Sequence, residues 1–297
     1  MRVAEAVQRS GHVAIVGRPS VGKSTLLNAL VGARISITSR KPQTTRHRVA
    51  GIHTEAGVQY VFVDTPGFQT QHASKLDARL AHAVRSALVD VDAIVFVADA
   101  ARITAADRDV LALLPKGVPV IAALNKTDAL ADKRALLPRI ADWAAAREFA
   151  AIVPISAARG TGLPALKTAL ADLLPPAPAL YGDDTLTDRD ERFLAAEFVR
   201  EQIFRQLGDE VPYSTAVVID TFVQDGELRR IGATVLVDKP SQRAILVGKD
   251  GARMKTIASQ ARKEMETLFG GRVFLEVWVR VKRGWAQSDA MLTRLGY

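Results

Sequence analysis

The fold of this chain is decided by one stretch near its N-terminus, Gly17-Arg18-Pro19-Ser20-Val21-Gly22-Lys23-Ser24. It follows a β-branched run, Val13 to Val16, that predicts a strand, and it precedes a leucine-rich run that predicts a helix. At such a junction glycines let successive backbone N–H groups turn toward one anion, and the helix N-terminus adds partial positive charge. The stretch therefore predicts a phosphate-binding loop, in which Lys23 reaches the β- and γ-phosphates and the Ser24 hydroxyl ligates Mg²⁺.

The surrounding sequence, from His12 to about Leu174, alternates short β-branched runs with longer Ala/Leu-rich stretches. This pattern is typical of a mostly parallel sheet with helices on both faces. The predicted strands are Val13 to Val16, Val49 to His53, Gln59 to Val63, Ala93 to Ala98, Val118 to Leu124 and Ala151 to Ile155. Five helices fit between and after them. Because crossover connections are right-handed, we predict a three-layer α/β domain that binds ligands at the carboxyl ends of its strands.

A second motif, Asp64-Thr65-Pro66-Gly67, ends the third predicted strand. There Asp64 would hold Mg²⁺ through a water molecule, and the Gly67 amide would sense the γ-phosphate. As an isolated tetrapeptide the motif is equally typical of a turn. Its position after the phosphate-binding loop favours the phosphate site.

A third motif, Asn125-Lys126-Thr127-Asp128, ends the strand Val118 to Leu124 and indicates which base is bound. Guanine presents its N1–H and N2–H₂ donors together, and the Asp128 carboxylate can accept both, whereas adenine would leave this carboxylate unpaired. The motif therefore favours GTP over ATP. Ser156-Ala157-Ala158, after the next strand, is a weak signal for a backbone N–H that contacts the guanine O6.

These motifs together define the predicted nucleotide site. Its residues are Gly17, Arg18, Pro19, Ser20, Val21, Gly22, Lys23, Ser24, Thr25, Asp64, Thr65, Pro66, Gly67, Asn125, Lys126, Asp128, Ser156, Ala157 and Ala158.

The alternating pattern ends at a Pro-rich segment, residues 175–184, which we interpret as a stiff linker to a second domain. Beyond it, Asp188 with Glu191 three residues later predicts the N-terminus of an amphipathic helix. Two strands are then predicted near Thr215 to Phe222 and Gly232 to Val237.

The last part of the chain is basic. A helix predicted after Gly251 repeats apolar residues from Met254 to Leu268 at helical spacing, which leaves a basic side. A final strand is predicted from Val273 to Val281, where aliphatic residues alternate with aromatic and charged residues. This alternation gives the strand two distinct faces. Residues 239–297 hold 12 Lys and Arg against 5 Asp and Glu, a local charge of 12 − 5 = +7. This charge favours a polyanion as partner.

Composition agrees with two globular domains. The 297 residues exceed one typical domain, and 48% hydrophobic with 24% charged residues is ordinary for a globular protein. The chain has no cysteine, and no apolar run approaches the roughly 18 residues of a membrane helix. We therefore expect a cytoplasmic protein. Its net charge of +8 leaves open peripheral contact with the inner face of the cell membrane.

Taken in order, the motifs resemble those of the Era-like family of small GTPases, in the translation-factor-related class, over nearly the whole chain. Gln43-Thr44-Thr45-Arg46-His47 is similar to the switch I segment of that family. The resemblance implies that a switch I threonine completes the Mg²⁺ shell when GTP is bound, and Thr45 is favoured over Thr44. The implied metal ligands are Ser24, Thr45 and Asp64, and the implied catalytic residues are Lys23, Thr45 and Gly67.

The resemblance extends to the basic part of the chain. Ile245-Leu246-Val247-Gly248-Lys249-Asp250-Gly251 resembles the Gly-x-x-Gly loop of a type II KH domain, whose order is helix-strand-strand-helix-helix-strand. Two such glycines let the backbone approach a sugar-phosphate chain, and the next helix points its N-terminus at about four single-stranded nucleotides. The implied RNA-binding residues are Gly248, Lys249, Asp250, Gly251, Arg253 and Lys255. Trp285, in the tail, either stacks on a base or packs on its own domain.

The resemblance implies a P-loop GTPase domain over residues 1–176, a linker over 177–186, an α+β type II KH domain over 187–284 and a tail over 285–297. It also implies a monomer that hydrolyses GTP slowly to GDP and phosphate. The implied partners are the single-stranded 3′ end of 16S ribosomal RNA and the 30S subunit, whose assembly the protein would control.

Three positions depart from the resemblance or stay open. Phe68 stands where many GTPases place a catalytic glutamine, so no side chain that positions water is apparent there. Ser20 stands where members that use potassium commonly place asparagine, so potassium stimulation stays open. An arginine finger is not assigned, since Arg40 and Arg46 are only candidates.

Two other functions stay open. One is an RNA-binding module whose binding is controlled by the nucleotide and which hydrolyses GTP at a negligible rate. Phe68 favours this alternative. The other is a GTPase at the membrane surface or in cell-cycle control, with the basic face on anionic lipid. The Gly-x-x-Gly loop speaks against the second, because lipid needs charge but not this loop geometry.

Overall fold

The computed structural model describes residues 8–39, 41, 44–67, 75–208 and 211–296. The chain divides into two compact units. The first comprises residues 1–36, 45–71 and 80–188, and the second comprises residues 37–44, 72–79 and 189–297. The functional domain limits at 176, 186 and 284 stay a prediction. In the described ranges no helix is both long enough and apolar enough to cross a bilayer.

The first unit is built on a six-stranded sheet, which confirms the six predicted strands. The strands are β1 Arg9–Val16, β2 Val49–Glu55, β3 Val58–Asp64, β4 Ala93–Asp99, β5 Val120–Asn125 and β6 Ala151–Pro154. Their order is β2-β3-β1-β4-β5-β6, and every pair is parallel except β2 with β3. Strand β1 begins four residues earlier than predicted because its pairing with β3 extends from Arg9 opposite Val58.

Among the described residues, five α-helices belong wholly or partly to the first unit, as predicted from the sequence. They are α1 Lys23–Val31, α2 Lys75–Ser86, α3 Ala105–Leu113, α4 Leu136–Ala146 and α5 Leu163–Ala171. One core cluster joins strand residues such as Ile94 and Phe96 to the helices, with the fully buried Trp143 of α4 edge-on to Phe96 at 5.3 Å between ring centroids. Burial of both faces of β4 explains its continuous apolar run.

The Pro-rich segment is held along the first unit. The backbone N–H of Ser10 donates to Pro175, and the buried Gln59 side chain accepts hydrogen bonds from the backbone of Leu180 and Tyr181. The N–H of Ile52 donates to the carbonyl of Leu186. These bonds place the segment in the first unit up to Asp188, so its stiffness comes from this anchoring as well as from its prolines.

The second unit has the predicted helix-strand-strand-helix-helix-strand order. Its elements are α6 Glu191–Gln206, β7 Thr215–Asp225, β8 Leu228–Val237, α7 Pro240–Val247, α8 Ala252–Phe269, β9 Arg272–Val281 and α9 Asp289–Arg294. The sheet order is β7-β8-β9, with β7 antiparallel and β9 parallel to β8. The predicted apolar face of α8 is confirmed, because Met254, Ile257 and Met265 are buried in the core of this unit.

Two details of this unit refine the sequence predictions. The predicted cap of α6 was wrong: Asp190, not Asp188, accepts the hydrogen bond from the Phe193 N–H, at 2.8 Å. Asp188 instead accepts from the backbone of Ala50 in the first unit's own β2. Trp285 is buried, and its indole N–H donates to the Ser214 carbonyl at 3.0 Å. It packs on its own unit, so the stacking alternative for Trp285 was wrong.

Candidate functional site

The phosphate-binding loop joins β1 to α1 and carries a buried ammonium. Lys23 is the first residue of α1, and its Nζ donates to the carbonyl of Arg18 at 3.1 Å, across the loop. Burial lowers the pKa of Lys23 to about 8, although the Asp64 carboxylate opposes this shift. An anion bound in the loop would favour the charged ammonium. The geometry is therefore that of a phosphate site.

The three predicted metal ligands lie together beside this loop. The Ser24 hydroxyl donates to Asp64 Oδ2 at 2.6 Å, and Thr45 Oγ1 lies 2.7 Å from Ser24 Oγ. Thr44 points elsewhere, since its hydroxyl donates to the Lys41 carbonyl and lies 2.5 Å from Ser39 Oγ. The arrangement favours Thr45 over Thr44 as the switch I ligand.

The donor set fits Mg²⁺. Asp64 Oδ1 is buried and has no hydrogen-bond partner within the described part of the chain. Burial raises the pKa of Asp64, whereas the charge of Lys23 and the hydrogen bonds from hydroxyl groups lower it. A cation bound here would stabilise the charged form of this buried carboxylate. Mg²⁺ prefers hard oxygen ligands and usually takes one or two carboxylates plus substrate phosphates. The described residues contain no cluster of three or more His, Cys, Asp or Glu that would hold a metal without such phosphates.

The predicted base-recognition residues are hydrogen-bonded to the phosphate-binding loop and to the segment after β6. The Asn125 side chain donates to the Val21 carbonyl at 2.8 Å and accepts from the Ala157 N–H at 2.9 Å. Asp128 Oδ1 accepts from the Ser156 hydroxyl at 2.6 Å, and this bond is the main cause that lowers the pKa of Asp128. The carboxylate is therefore ionised at neutral pH and able to accept two donors from guanine.

Gly67 approaches the phosphate-binding loop closely. A Cβ atom on Gly67 would lie 2.9 Å from Pro19 Cα, which is closer than real Cβ contacts. The second motif therefore packs directly on the loop through its glycine. Phe68, Arg40 and Gln43 lie outside the described residues. Arg46 is described and is buried, with 2% of its surface exposed.

Three residues of the site were not predicted from the sequence. Ser36 donates to Asp64 Oδ2 at 2.9 Å, Asp99 pairs with Lys126 at 3.0 Å, and Asp107 pairs with Arg18 at 3.1 Å. The position of Asp99, at the carboxyl end of β4, is a signal that could have identified it. The sequence around Asp107 indicates only a helix cap, and Ser36 is only a hydroxyl residue in a loop, so neither pattern points to the nucleotide site.

In the second unit the Gly-x-x-Gly loop joins two helices, α7 and α8, as the resemblance implied. Gly248 has φ 74, and a Cβ there would lie 2.8 Å from the Cβ of Arg253. Lys249 and Asp250, between the glycines, are exposed. Only glycine therefore allows both the turn and the close approach of α8 at this position.

A groove of about 530 Å³ lies beside this loop, between α7, α8 and the edge strand β9. Its lining residues are Arg243, Val247, Gly251, Met254, Lys255, Ala258, Ser259, Arg262, Leu275, Val277, Trp278 and Val279. Three of these carry positive charge and none is acidic; one of the three, Arg262, pairs with Glu266 at 2.6 Å. An apolar groove with a cationic wall suits single-stranded nucleic acid, whose bases are flat and whose phosphates are anionic.

Comparison with known proteins identifies both parts of the chain. Residues 12–126 match the family described as 50S ribosome-binding GTPase, and residues 210–286 match the KH domain. GTPase Era of Nitrosomonas eutropha is 50% identical over 289 residues, which cover 97% of this chain and 98% of that protein. GTPase Era of Chromobacterium violaceum is 52% identical over 286 residues, 96% of this chain and 97% of that protein.

The chain belongs to the Era family of GTPases.

Solved structures of the Era family agree over the full length. A variant of Aquifex aeolicus Era bound to GDP and AlF₄⁻ is 36% identical, with a TM-score of 0.93 over 97% of this chain and 99% of that one. Era in complex with MgGDPNP and nucleotides 1506–1542 of 16S ribosomal RNA is 35% identical, with a TM-score of 0.94 over 98% and 99%. The predicted fold, a P-loop GTPase domain followed by a KH domain, is confirmed, and this Era-family chain is an enzyme that hydrolyses GTP.

Proposed function

We propose that this Era-family GTPase binds the single-stranded 3′ end of 16S ribosomal RNA in the groove beside its Gly-x-x-Gly loop, under the control of GTP. The observation that carries this function is the groove itself, with three cations, no acidic residue and an apolar floor at a helix N-terminus. The relative solved with MgGDPNP and nucleotides 1506–1542 of 16S ribosomal RNA supports the choice of RNA. The function would be a checkpoint in assembly of the 30S subunit, performed by a cytoplasmic monomer.

Hydrolysis of GTP provides the timing. Lys23 and the amides of the phosphate-binding loop stabilise the charge that develops on the β- and γ-phosphates while water attacks in line. Ser24, Thr45 and Asp64 would hold Mg²⁺, Asp64 through a water molecule, and the ion would neutralise phosphate charge. Asp128 accepts the guanine donors and so restricts the switch to GTP and GDP.

A connection between nucleotide and RNA is built into the second unit, which includes residues 37–44. There the Thr38 N–H and hydroxyl donate to the buried Glu201 of α6, at 2.8 and 3.2 Å. Arg205 of α6 donates to the Thr38 carbonyl at 3.2 Å. Thr45 follows this segment directly and belongs to the metal site. Ordering of Thr45 by GTP therefore restrains residues 37–44, which are hydrogen-bonded to α6 through Thr38. Loss of the γ-phosphate releases them.

The test is fluorescence-anisotropy binding of a short single-stranded RNA that matches the 3′ end of 16S ribosomal RNA. The protein is loaded with a GTP analogue or with GDP at fixed salt, because phosphate contacts make affinity salt-dependent. We expect tighter binding with the analogue. Replacement of Gly248 and Gly251 by Asp should abolish it, because the added carboxylates repel phosphate and the side chains block the close approach.

Gly270→Asp is the matched control for these variants. Gly270 ends α8, has φ 66 against 76 for Gly251, and has open space where a Cβ would be added. It introduces the same charge and similar backbone strain at the far end of the helix, so RNA binding should persist. Equal, weak and sequence-independent binding in both nucleotide states would contradict the proposal, and a membrane or protein partner would then be the better function.

A further inference from the structure

Strand β9 presents two exposed aromatic side chains. Trp278 is 63% exposed and Phe274 is 47% exposed, whereas every other Phe and Trp in the described part of the chain is buried or half-buried. They are four residues apart on one strand, so both point to the same side of the sheet. That side is opposite the core, since Val273 is buried and Leu275, Val277 and Val279 pack against the core cluster.

The neighbours of these aromatics on β8 are two small residues and one arginine. Thr234 lies directly opposite Trp278, and Gly232 lies opposite Glu276, between the two rings. Arg230 lies opposite Phe274 and places its guanidinium carbon 5.8 Å from the ring centroid. The open face thus combines flat apolar rings with small neighbours and an arginine.

Trp278 belongs to two surfaces at once. It stands on the open face, and it also lines the groove beside the Gly-x-x-Gly loop. β9 is an edge strand of the sheet and borders both the groove and the open face. The groove and the open face therefore meet at Trp278.

We propose that Trp278 and Phe274 form a base-stacking surface, over which RNA bound in the groove continues across the edge of β9 onto the open face of the sheet. Because Trp278 lines the groove assigned to RNA above, this surface depends on that proposed function. Aromatic side chains on a sheet stack single-stranded bases with little sequence preference. Arg280, on the same face, attracts phosphates, whereas Arg230 pairs with Asp225 at 3.6 Å and Glu276 between the rings keeps phosphates away from the centre.

Nucleic acid fits this face better than a protein does, because the face is continuous with a groove that has three cations and no acid. A groove of the Gly-x-x-Gly type holds about four nucleotides. The stacking surface would add bases beyond these four. RNA longer than the groove should therefore bind more tightly, and the additional affinity should depend on the two rings.

Tryptophan fluorescence of the full chain tests this directly. The chain has three tryptophans, and Trp143 and Trp285 are buried, so Trp278 supplies the solvent-exposed emission. The protein with bound GTP analogue is titrated with a four-nucleotide RNA and with the same RNA lengthened by four nucleotides at either end. We expect at least one lengthened RNA to quench this emission and to protect it from acrylamide. Trp278→Phe should remove the signal while most of the affinity remains.

Affinity variants separate stacking from folding. Trp278→Ala and Phe274→Ala should each weaken binding of the lengthened RNA by about fivefold to a hundredfold. Phe274→Ala should leave the four-nucleotide RNA unaffected. Leu137→Ala, an exposed aliphatic residue on α4 of the first unit, is the matched control and should change neither affinity. Unchanged GTP hydrolysis and circular dichroism would verify that the variants fold.

The outcomes distinguish this surface from the proposed function. The stacking surface is refuted if three results come together. The Gly248 and Gly251 variants lose binding, Trp278→Ala and Phe274→Ala bind both RNAs as the wild type does, and the wild type shows no quenching. The RNA then stays in the groove. If the wild type binds none of the RNAs, the proposed function fails and the stacking surface with it. The exposed rings would then be assigned to a protein partner.

Discussion

Thr45 Oγ1 lies 2.7 Å from Ser24 Oγ, and Ser24 in turn donates to Asp64 Oδ2 at 2.6 Å. Residues that are far apart in the sequence thus share one small oxygen cluster, in which each oxygen comes from a different motif. Thr45 comes from switch I, Ser24 from the phosphate-binding loop and Asp64 from the end of β3. An ion held by this cluster would link the position of Thr45 to the bound nucleotide.

Replacement of Thr45 by Ala should therefore uncouple switch I from the nucleotide. We expect the rate of GTP hydrolysis to fall roughly a hundredfold, because one oxygen that supports the charge of the transition state is lost. GDP affinity should change little. Single-turnover hydrolysis at saturating Mg²⁺ measures the effect.

Thr44→Ala is the control for this prediction, since the Thr44 hydroxyl contacts Ser39 and Lys41 and lies outside the oxygen cluster. It should hydrolyse GTP within a few-fold of the wild type. An equal loss of rate in both variants would mean that the side chain of Thr44 also acts in the nucleotide site.

Much of this arrangement was predictable from the sequence. β-branched runs predicted all six strands of the first unit, and in a parallel sheet the carboxyl ends of strands meet at one edge. Asp64 and Asn125, each at the end of such a run, were therefore placed correctly beside the phosphate-binding loop. The order of the second unit was predicted in the same way, with the resemblance to a KH domain supplying α7.

The remainder depends on contacts between distant residues. Ser36 reaches Asp64 only because the Asn28 side chain accepts hydrogen bonds from the backbone of Ile35 and Ser36 and so shapes the loop after α1. Asp190 rather than Asp188 caps α6, because the Asp188 carboxylate accepts a hydrogen bond from the backbone of Ala50. Alternation along β9 predicted two faces, but the shared position of Trp278 on groove and sheet follows from β9 being an edge strand.

Gly67→Ala should weaken the response to the γ-phosphate. The added Cβ would lie 2.9 Å from Pro19 Cα, so the backbone of Gly67 or of the phosphate-binding loop has to move. Overpacking of this kind costs about 1–3 kcal/mol. We expect the affinity for a GTP analogue, relative to GDP, to fall about fivefold to a hundredfold in equilibrium titrations with fluorescent nucleotides.

The comparison variant is Gly117→Ala. Gly117 lies in the same unit, where an added Cβ meets no atom within 4 Å. It should retain the nucleotide preference of the wild type. If Gly67→Ala also retained it, the close contact with Pro19 would be unconnected to γ-phosphate binding.

Asp128→Asn should change the base that is recognised. Its carboxylate accepts from Ser156 and is ionised at neutral pH, whereas an amide presents a donor to the guanine N1–H and N2–H₂ donors. We expect GTP affinity to fall about a hundredfold or more, with xanthosine triphosphate, which has an acceptor at position 2, preferred instead. Competition between the two nucleotides measures this preference.

Asp132→Asn provides the matched substitution, because Asp132 is exposed and caps the short 3₁₀ turn Lys133–Ala135. It should leave the preference for GTP intact. Guanine binding that survived Asp128→Asn unchanged would show that another group reads the base.

The ion pair between Arg18 and Asp107 predicts a coupling between stability and nucleotide binding. Arg18 Nε donates to Asp107 Oδ1 at 3.1 Å, and Asp107 is fully buried, where it also accepts from the Thr104 hydroxyl at 2.7 Å. Asp107→Asn leaves the Arg18 guanidinium without its counter-charge in a largely buried position. Removal of one partner of a buried pair costs about 3–5 kcal/mol.

We therefore expect Asp107→Asn to lower the melting temperature of the nucleotide-free protein by roughly 5–15 °C and to weaken GDP binding, because Arg18 is part of the phosphate-binding loop. Asp109→Asn removes the same charge from an exposed position two residues later on α3 and should be nearly neutral in both measurements. Stability lost with GDP affinity unchanged would mean that Asp107 serves only the cap of α3. A loss of both, recovered in part by saturating GDP, would show that this pair holds the phosphate-binding loop in its binding conformation.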